Sequence, residues 1–233
     1  GAFATGRRLA YFNAIIVLER AAGGDVVRAG EWLRGQGLQL SARVREDVED
    51  DDVRGALSSL GLGRAARSEP GMVLHPLAPV PALPPGLRIE TATRATMDRW
   101  YQASTVAWEL DDAAADRLPD SVPPHVADDP EVRLFAGYLD GAPVATSLAV
   151  RANDVVGVFA VATTVGSRGR GLGTALTWAA VEAGRGWGCR AAALQASEMG
   201  EPVYRRMGFE TATRYVTWER ATAPGDTDAP HGW

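Results

Sequence analysis

The sequence predicts an α/β protein in two parts, and three observations carry that prediction. Apolar, β-branched runs alternate with stretches of helical periodicity along most of the chain. A proline-rich run, "HPLAPVPALPPG" (75–86), interrupts the alternation with Pro76, Pro79, Pro81, Pro84 and Pro85. A glycine- and arginine-rich hinge, "SRGRGLGTAL" (167–176), joins an apolar run to a helical one.

The elements follow in order. "YFNAIIVLE" (11–19) reads as a strand, and its β-branched residues set it apart from a signal peptide, as does the lack of a small-residue cleavage site. "DVVRAGEWLRGQG" (25–37) is a helix, "LQLSARVRE" (38–46) a strand and "DDDVRGALSSLG" (50–61) a helix, followed by "LGRAARSEPGMVL" (62–74). The prolines then exclude helix or central strand, because each lacks a donor and fixes φ, so the run reads as a stiff, extended linker. Beyond it, "GLRIETAT" (86–93) is a strand, and "RATMDRWYQASTVAWEL" (94–110) is a helix with Met97, Trp100, Tyr101 and Trp108 at helical spacing. A short helix follows at "DDAAADRL" (111–118). "EVRLFAGYL" and "PVATSLAV" flank Asp140-Gly141, a hairpin signal. "VVGVFAVATT" (155–164) is apolar on both faces, a buried strand. The hinge leads into a helix with Leu172, Leu176, Ala179 and Ala183 on one face. "CRAAALQA" is a strand, "EPVYRRMG" a helix stopped by Gly208, and "ETATRYVTWER" (210–220) a closing strand. The expected organisation is a short region over 1–77, a linker over 78–86, a main domain over 87–220 and a polar tail over 221–233.

The two parts echo each other. Both run strand, helix, strand, helix, strand, with "GQG" (35–37) answering "GWG" (186–188) and "LGL" (60–62) answering "MGF" (207–209). Such an echo reads either as a repeat or as two unrelated αβ units.

Composition narrows the function. All 24 basic residues are arginine, against 29 acidic ones, and the net charge of −5 argues against a general nucleic-acid binder. No apolar stretch reaches the ~20 residues of a membrane span. The single cysteine, Cys189, excludes an internal disulfide framework, fits a reducing cytoplasm and reads as a small apolar residue opening a strand rather than a nucleophile. His75, His125 and His231 lie beside proline or glycine and read as loop residues, not ligands; no metal is expected.

The hinge carries the chemistry. A helix's first turn leaves backbone N–H groups unpaired at the positive end of its dipole. Glycines let a phosphate approach them, and Arg168 and Arg170 add formal charge. The hinge therefore reads as a pyrophosphate cradle; the alternative is a tight strand-to-helix turn using glycine for φ > 0. A Walker loop requires a lysine that this chain lacks. A dinucleotide fingerprint would need a third glycine where Leu176 stands.

The spacing R-x-x-G-x-G, filled by Arg168, Gly171 and Gly173, resembles the GNAT superfamily of N-acetyltransferases. The resemblance spans about residues 87–220, through "VATTVGSRGRGLGTAL" and "ASEMGEPVYRRMGFE", with Tyr204 four residues before "GF". It implies the GNAT fold, a central mixed, twisted sheet flanked by helices, with parallel strands splayed at the acetyl-CoA site. It further implies that Arg168, Gly169, Arg170, Gly171, Leu172, Gly173 and Thr174 hold the pyrophosphate. Val161, Ala162 and Thr163 would offer backbone groups to the pantetheine and the carbonyl. Ser197 stands where many members carry asparagine. Tyr204 matches the tyrosine that protonates the departing thiolate, though it also fits a ring packed in the core. The candidate bases are Glu109, foremost, with Asp111 and Asp112 at the end of the aromatic-rich helix, and Glu198 just beyond the strand that ends near Ser197; each also reads as a solvated surface charge, with water or a weak base sufficing. Trp100, Tyr101 and Trp108 either roof the acceptor pocket or pack the core.

In the first part, Arg20 and Gly23 keep the cradle's places, but Asp25 replaces its last glycine and is expected to cap the helix and oppose phosphate. That part then resembles a degenerate GNAT half without a cofactor. The expected function is acetyl transfer from acetyl-CoA to a primary amine, a small molecule more than a protein, by a cytoplasmic monomer or homodimer. A non-catalytic CoA-binding sensor and a protein or peptide acetyltransferase are the alternatives.

Overall fold

A computed structural model describes residues 1–4, 13–38 and 40–220. The expected tail over 221–233 lies outside them. The chain divides into two compact units, one of Gly1–Gly71 with the chain from Thr211, the other of Met72–Glu210. The closing strand expected in the main domain therefore belongs, from Thr211, to the first unit.

That unit holds β1 (Ala2–Ala4), β2 (Asn13–Val17), α1 (Gly23–Gly35), β3 (Ser41–Arg45), α2 (Asp51–Ser59), most of β4 (Gly63–Leu74) and most of β10 (Glu210–Glu219). Its strand order is β1-β2-β3-β10-β4. β2 and β3 run parallel, as α1 between them requires, and β10 joins β3 antiparallel. Ile15, Leu33, Val44, Val53, Leu57 and Val216 form its core. Within it, the carboxylate of Glu49 is buried. It accepts from Arg64 Nε at 2.9 and 3.1 Å, from Arg64 Nη2 at 2.9 Å and from Trp218 Nε1 at 2.8 Å.

The second unit holds β5 (Leu87–Thr91), α3 (Met97–Trp108), α4 (Asp112–Asp116), α5 (Leu118–Ser121), β6 (Val132–Leu139), β7 (Ala142–Ala152), β8 (Val155–Thr163), α6 (Leu172–Gly186), β9 (Ala191–Gln195) and α7 (Glu201–Arg206). Its order is β9-β8-β7-β6-β5, antiparallel except for the parallel β8–β9 pair. Asp140 and Gly141 make the β6–β7 turn with φ of 51° and 86°, the left-handed pair that a tight hairpin needs.

Alternation along β6 sets the layers. Phe135 and Leu139 pack with Leu172, Leu176 and Val181 of α6, while Leu134, Ala136 and Tyr138 pack with Met97, Trp100 and Tyr101 of α3. Successive strand residues face opposite ways, so α6 and α3 cover opposite faces. Trp100 and Tyr101 are core residues, 1% and 8% exposed, and the Tyr101 hydroxyl donates to the Val122 carbonyl at 2.6 Å. The proline run has no regular structure, but it is not a free linker. Leu77 and Ala78 pack on the core with α6, and Arg185 Nη2 donates to the Ala78 carbonyl at 2.6 Å.

Candidate functional site

The site begins where β8 stops being an ordinary strand. Thr146 pairs with Ala162 and Leu148 with Phe159, so three steps on β8 oppose two on β7. The extra residue is a bulge, with Ala160 at φ 49° and its carbonyl accepting from Thr146 Oγ1 at 3.0 Å. On the other edge, β8 pairs with β9 only from Val155–Ala191 to Gly157–Ala193. Beyond Gly157 the two parallel strands no longer pair with each other. The Thr164 N–H donates to the Val144 carbonyl at 2.9 Å, so by alternation Ala162 also faces β7, while the backbone groups of Val161 and Thr163 face the unpaired edge. Of the three residues expected to offer backbone groups to the pantetheine and the carbonyl, Val161 and Thr163 have theirs on this edge, while Ala162 pairs with Thr146 of β7.

The chain then turns into α6. Ser167 and Arg168 close a 3-10 turn, donating to Thr164 and Val165 carbonyls at 2.9 and 3.2 Å. Gly169 and Gly171 both adopt φ 76°, a conformation that would strain a side chain. The first helical bond is Ala175 N–H to the Gly171 carbonyl at 3.0 Å, and no side chain caps the helix. Among the described residues, the N–H groups of Gly169, Arg170, Gly171, Leu172, Gly173 and Thr174 thus find no acceptor. Leu172 contributes only this N–H, since its side chain is buried in the core. Arg168 and Arg170 are exposed, and Arg168 Nε reaches the Thr163 carbonyl at 3.2 Å. A Cβ placed on Gly173 would sit 3.1 Å from Thr163 Oγ1 and 3.9 Å from Val161 Cγ1, so the cradle adjoins the unpaired edge of β8.

Ser197 and Tyr204 meet around Gly200, whose Cβ would lie 3.3 Å from Ser197 Oγ and 2.9 Å from Tyr204 Cε2. Ser197 Oγ accepts the Gly200 N–H at 3.2 Å and so stabilises the turn into α7. Tyr204 is buried, with its ring edge-on to Phe209 at 5.9 Å. Burial pushes its phenol above the ordinary value, and the nearby Thr177 hydroxyl pulls it back part of the way. Thr177 Oγ1 donates to the Gly173 carbonyl at 2.9 Å. Thr177 was absent from the sequence-derived set. Its i, i+4 relation to Gly173 was readable; its relation to Tyr204 was not.

Glu109 ends α3, and its Oε1 accepts the Val165 N–H at 3.4 Å. Asp111 is instead the N-cap of α4, accepting the Ala114 N–H at 2.8 Å. Cys189 is buried, and burial raises its thiol, consistent with an inert apolar role. Among the described residues no cluster of three or more His, Cys, Asp or Glu could hold a metal. No helix among them is long and apolar enough to cross a membrane.

The first unit treats its own helix start differently. Asp25 does not cap α1; it is the third helical residue, and its carboxylate pairs with Arg28. The Gly23 N–H is taken by Asp52 Oδ2 from α2 at 2.6 Å. Helix α1 begins two residues earlier than the sequence suggests, which moves Asp25 off the cap, and Asp52 supplies the carboxylate.

A strand edge left unpaired by a bulge, beside a helix start with six partnerless N–H groups, can hold an anion and an extended chain together. In the family comparison, residues 94–209 match the Acetyltransferase (GNAT) family. Residues 94–209 belong to the GNAT family. Solved structures extend the likeness of fold beyond that segment. A GCN5-related N-acetyltransferase from Kribbella flavida superposes with a TM-score of 0.69 at 21% identity, over 93% of this chain and 84% of its own. A tandem GNAT protein from the clavulanic acid biosynthesis pathway gives 0.61 at 21% identity, over 85% and 69%. A GCN5-related N-acetyltransferase from Sphaerobacter thermophilus gives 0.60 at 20%, over 83% and 65%. No curated protein matches the chain. The GNAT segment contains every residue of the cradle, the β8 edge, Glu109, Ser197 and Tyr204.

Proposed function

We propose that this protein transfers an acetyl group from acetyl-CoA to a primary amine, a small molecule rather than a protein, in the cytoplasm. The observation that carries the reading is the row of six partnerless N–H groups from Gly169 to Thr174 at the start of α6. They fit a pyrophosphate: the dipole is favourable, two glycines take the left-handed conformation, and Arg168 and Arg170 stand exposed beside them. When bound, acetyl-CoA supplies a thioester carbonyl open to attack and a thiolate able to leave.

The protein's own groups do the rest. Val161 and Thr163 orient the carbonyl and stabilise charge growing on its oxygen, in the way preorganised N–H groups act elsewhere. Glu109 takes the proton that the ammonium must lose before attack. As the N–C bond forms and the C–S bond breaks, the Tyr204 phenol gives its proton to the thiolate sulfur, and the second proton, which the nitrogen sheds as it becomes an amide, returns to the phenolate through solvent. A phenol is protonated at neutral pH, as the role requires; burial raises its pKa further, which makes it the weaker acid. The cationic acceptor is supported by Glu109, Asp111, Asp112 and Asp116 around the end of α3, and by the net charge of −5.

Tyr204→Phe should lower turnover about 10²-fold with acetyl-CoA affinity nearly unchanged. A second reading, in which Tyr204 only packs, is favoured by its ring contact with Phe209 and its burial. Unchanged turnover in the variant would select it. The same variant has a pH signature. A phenol pKa raised in the folded state contributes stability that is complete below about pH 10 and lost as pH rises through the folded value. Tyr204→Phe should therefore flatten the fall of Tm above about pH 10, leaving the part due to Tyr101, which burial also raises.

We take the first unit as a degenerate half of the same fold. Its support is the shared order of elements, a parallel strand pair around α1, and a helix start already occupied by Asp52. Calorimetry should give one acetyl-CoA per chain, with Tm raised by binding. Two equivalent sites would reject the degenerate half, and no binding would reject the proposed activity.

A further inference from the structure

Helix α3 ends at Glu109 with φ 53°, the left-handed position that glycine occupies without penalty. A glutamate there is strained. The helix end does not need its side chain. The Glu109 N–H donates to the Val106 carbonyl at 3.3 Å and the Leu110 N–H to Thr105 at 3.0 Å, backbone bonds that glycine would make equally. What glycine could not supply is the carboxylate, whose Oε1 accepts from Val165 N–H at 3.4 Å, 56 residues further along the chain. Val165 opens the 3-10 turn whose carbonyl receives Arg168 N–H at 3.2 Å, immediately before the six partnerless N–H groups.

The geometry points to Glu109 as a positioning residue for the phosphate cradle: its carboxylate tethers the turn that feeds the cradle to the end of α3. The tether fixes where the 165–168 turn begins, and so where Gly169 and the N–H row after it stand. It also joins two events. An ammonium docking on the exposed carboxylate of Glu109 meets a group already bonded to the cradle turn, so acceptor and acetyl-CoA bind to one connected element. The cofactor side of this inference rests on the acetyl-CoA reading; the tether does not.

Three variants separate the possibilities. Glu109→Gln keeps an acceptor for Val165 N–H and removes the base. Glu109→Ala removes both. Glu109→Gly removes both while relieving the strained φ, so it should melt no lower than the parent. The first readout is amide exchange at Val165 in the free protein, followed by NMR. It should speed up about fivefold in the alanine and glycine variants and stay near the parent in the glutamine variant. The second is acetyl-CoA affinity by calorimetry without acceptor, expected to weaken about fivefold in the alanine and glycine variants and to hold within about twofold in the glutamine variant. A general base alone would leave that affinity untouched in all three. Unchanged Val165 exchange in Glu109→Ala overturns the tether. Faster exchange with unaltered affinity overturns its role in the cradle, as does equal weakening by glutamine and alanine. If the parent itself binds no acetyl-CoA while exchange follows the expected pattern, the tether stands and the proposed activity falls.

Discussion

Gly173→Asp is expected to abolish acetyl-CoA binding while the protein stays folded. Residue 173 is the second residue of α6, with a helical backbone, so aspartate meets no positive-φ penalty there. Its Cβ would press on Thr163 Oγ1 at 3.1 Å, the end of a side chain that can rotate. The new carboxylate would take the N–H groups that are now without acceptors and repel any phosphate brought to them. Two charges 4 Å apart at an effective dielectric of about 20 oppose each other by about 4 kcal/mol, or roughly 10³-fold in affinity. Asp52 already does this to α1 in the first unit, where it occupies the Gly23 N–H. Gly173→Ala is the control, adding the same Cβ without the charge, and should bind within a few-fold of the parent. Calorimetry and thermal melting measured together decide the matter. Binding retained in the aspartate variant would move the phosphates away from this helix.

The second large effect concerns stability. Arg64→Leu should lower unfolding free energy by about 3–5 kcal/mol, because it leaves a buried carboxylate with too little compensation. The Glu49 side chain is 1% exposed. Without Arg64 it keeps the Trp218 indole and a guanidinium of Arg54 at 3.7 Å. The double variant Glu49→Leu/Arg64→Leu removes the stranded charge and should recover part of the loss, although Trp218 Nε1 then lacks its acceptor. Denaturant unfolding of the parent and both variants tests this. A loss under about 1 kcal/mol in Arg64→Leu would mean that water or Arg54 replaces the missing partner.

How much of this was legible beforehand depends on how local each cause is. Periodicity found the strands and helices because each side chain's burial repeats with its own backbone. The Asp140-Gly141 turn and the glycines of the cradle were legible because positive φ is a property of one residue at a time. The start of α1 was misread by two residues, since what occupies its N–H groups is Asp52, a residue 29 positions from Gly23.

By itself the sequence determined an α/β protein of alternating elements, a positively charged glycine hinge between a strand and a helix, and a tyrosine in the short helix after the next strand. Only the tertiary structure decided that β8 bulges at Ala160 and leaves β9 after Gly157, which puts the backbone of Val161 and Thr163 on an edge that β9 no longer covers. It also decided that Glu109 holds Val165 and that Thr177 meets Tyr204. The physical reason is distance along the chain. A turn or a helical face is fixed by neighbours a few residues away, whereas a missing ladder bond, a tether or a hydroxyl pair exists only once the whole sheet has brought remote segments together.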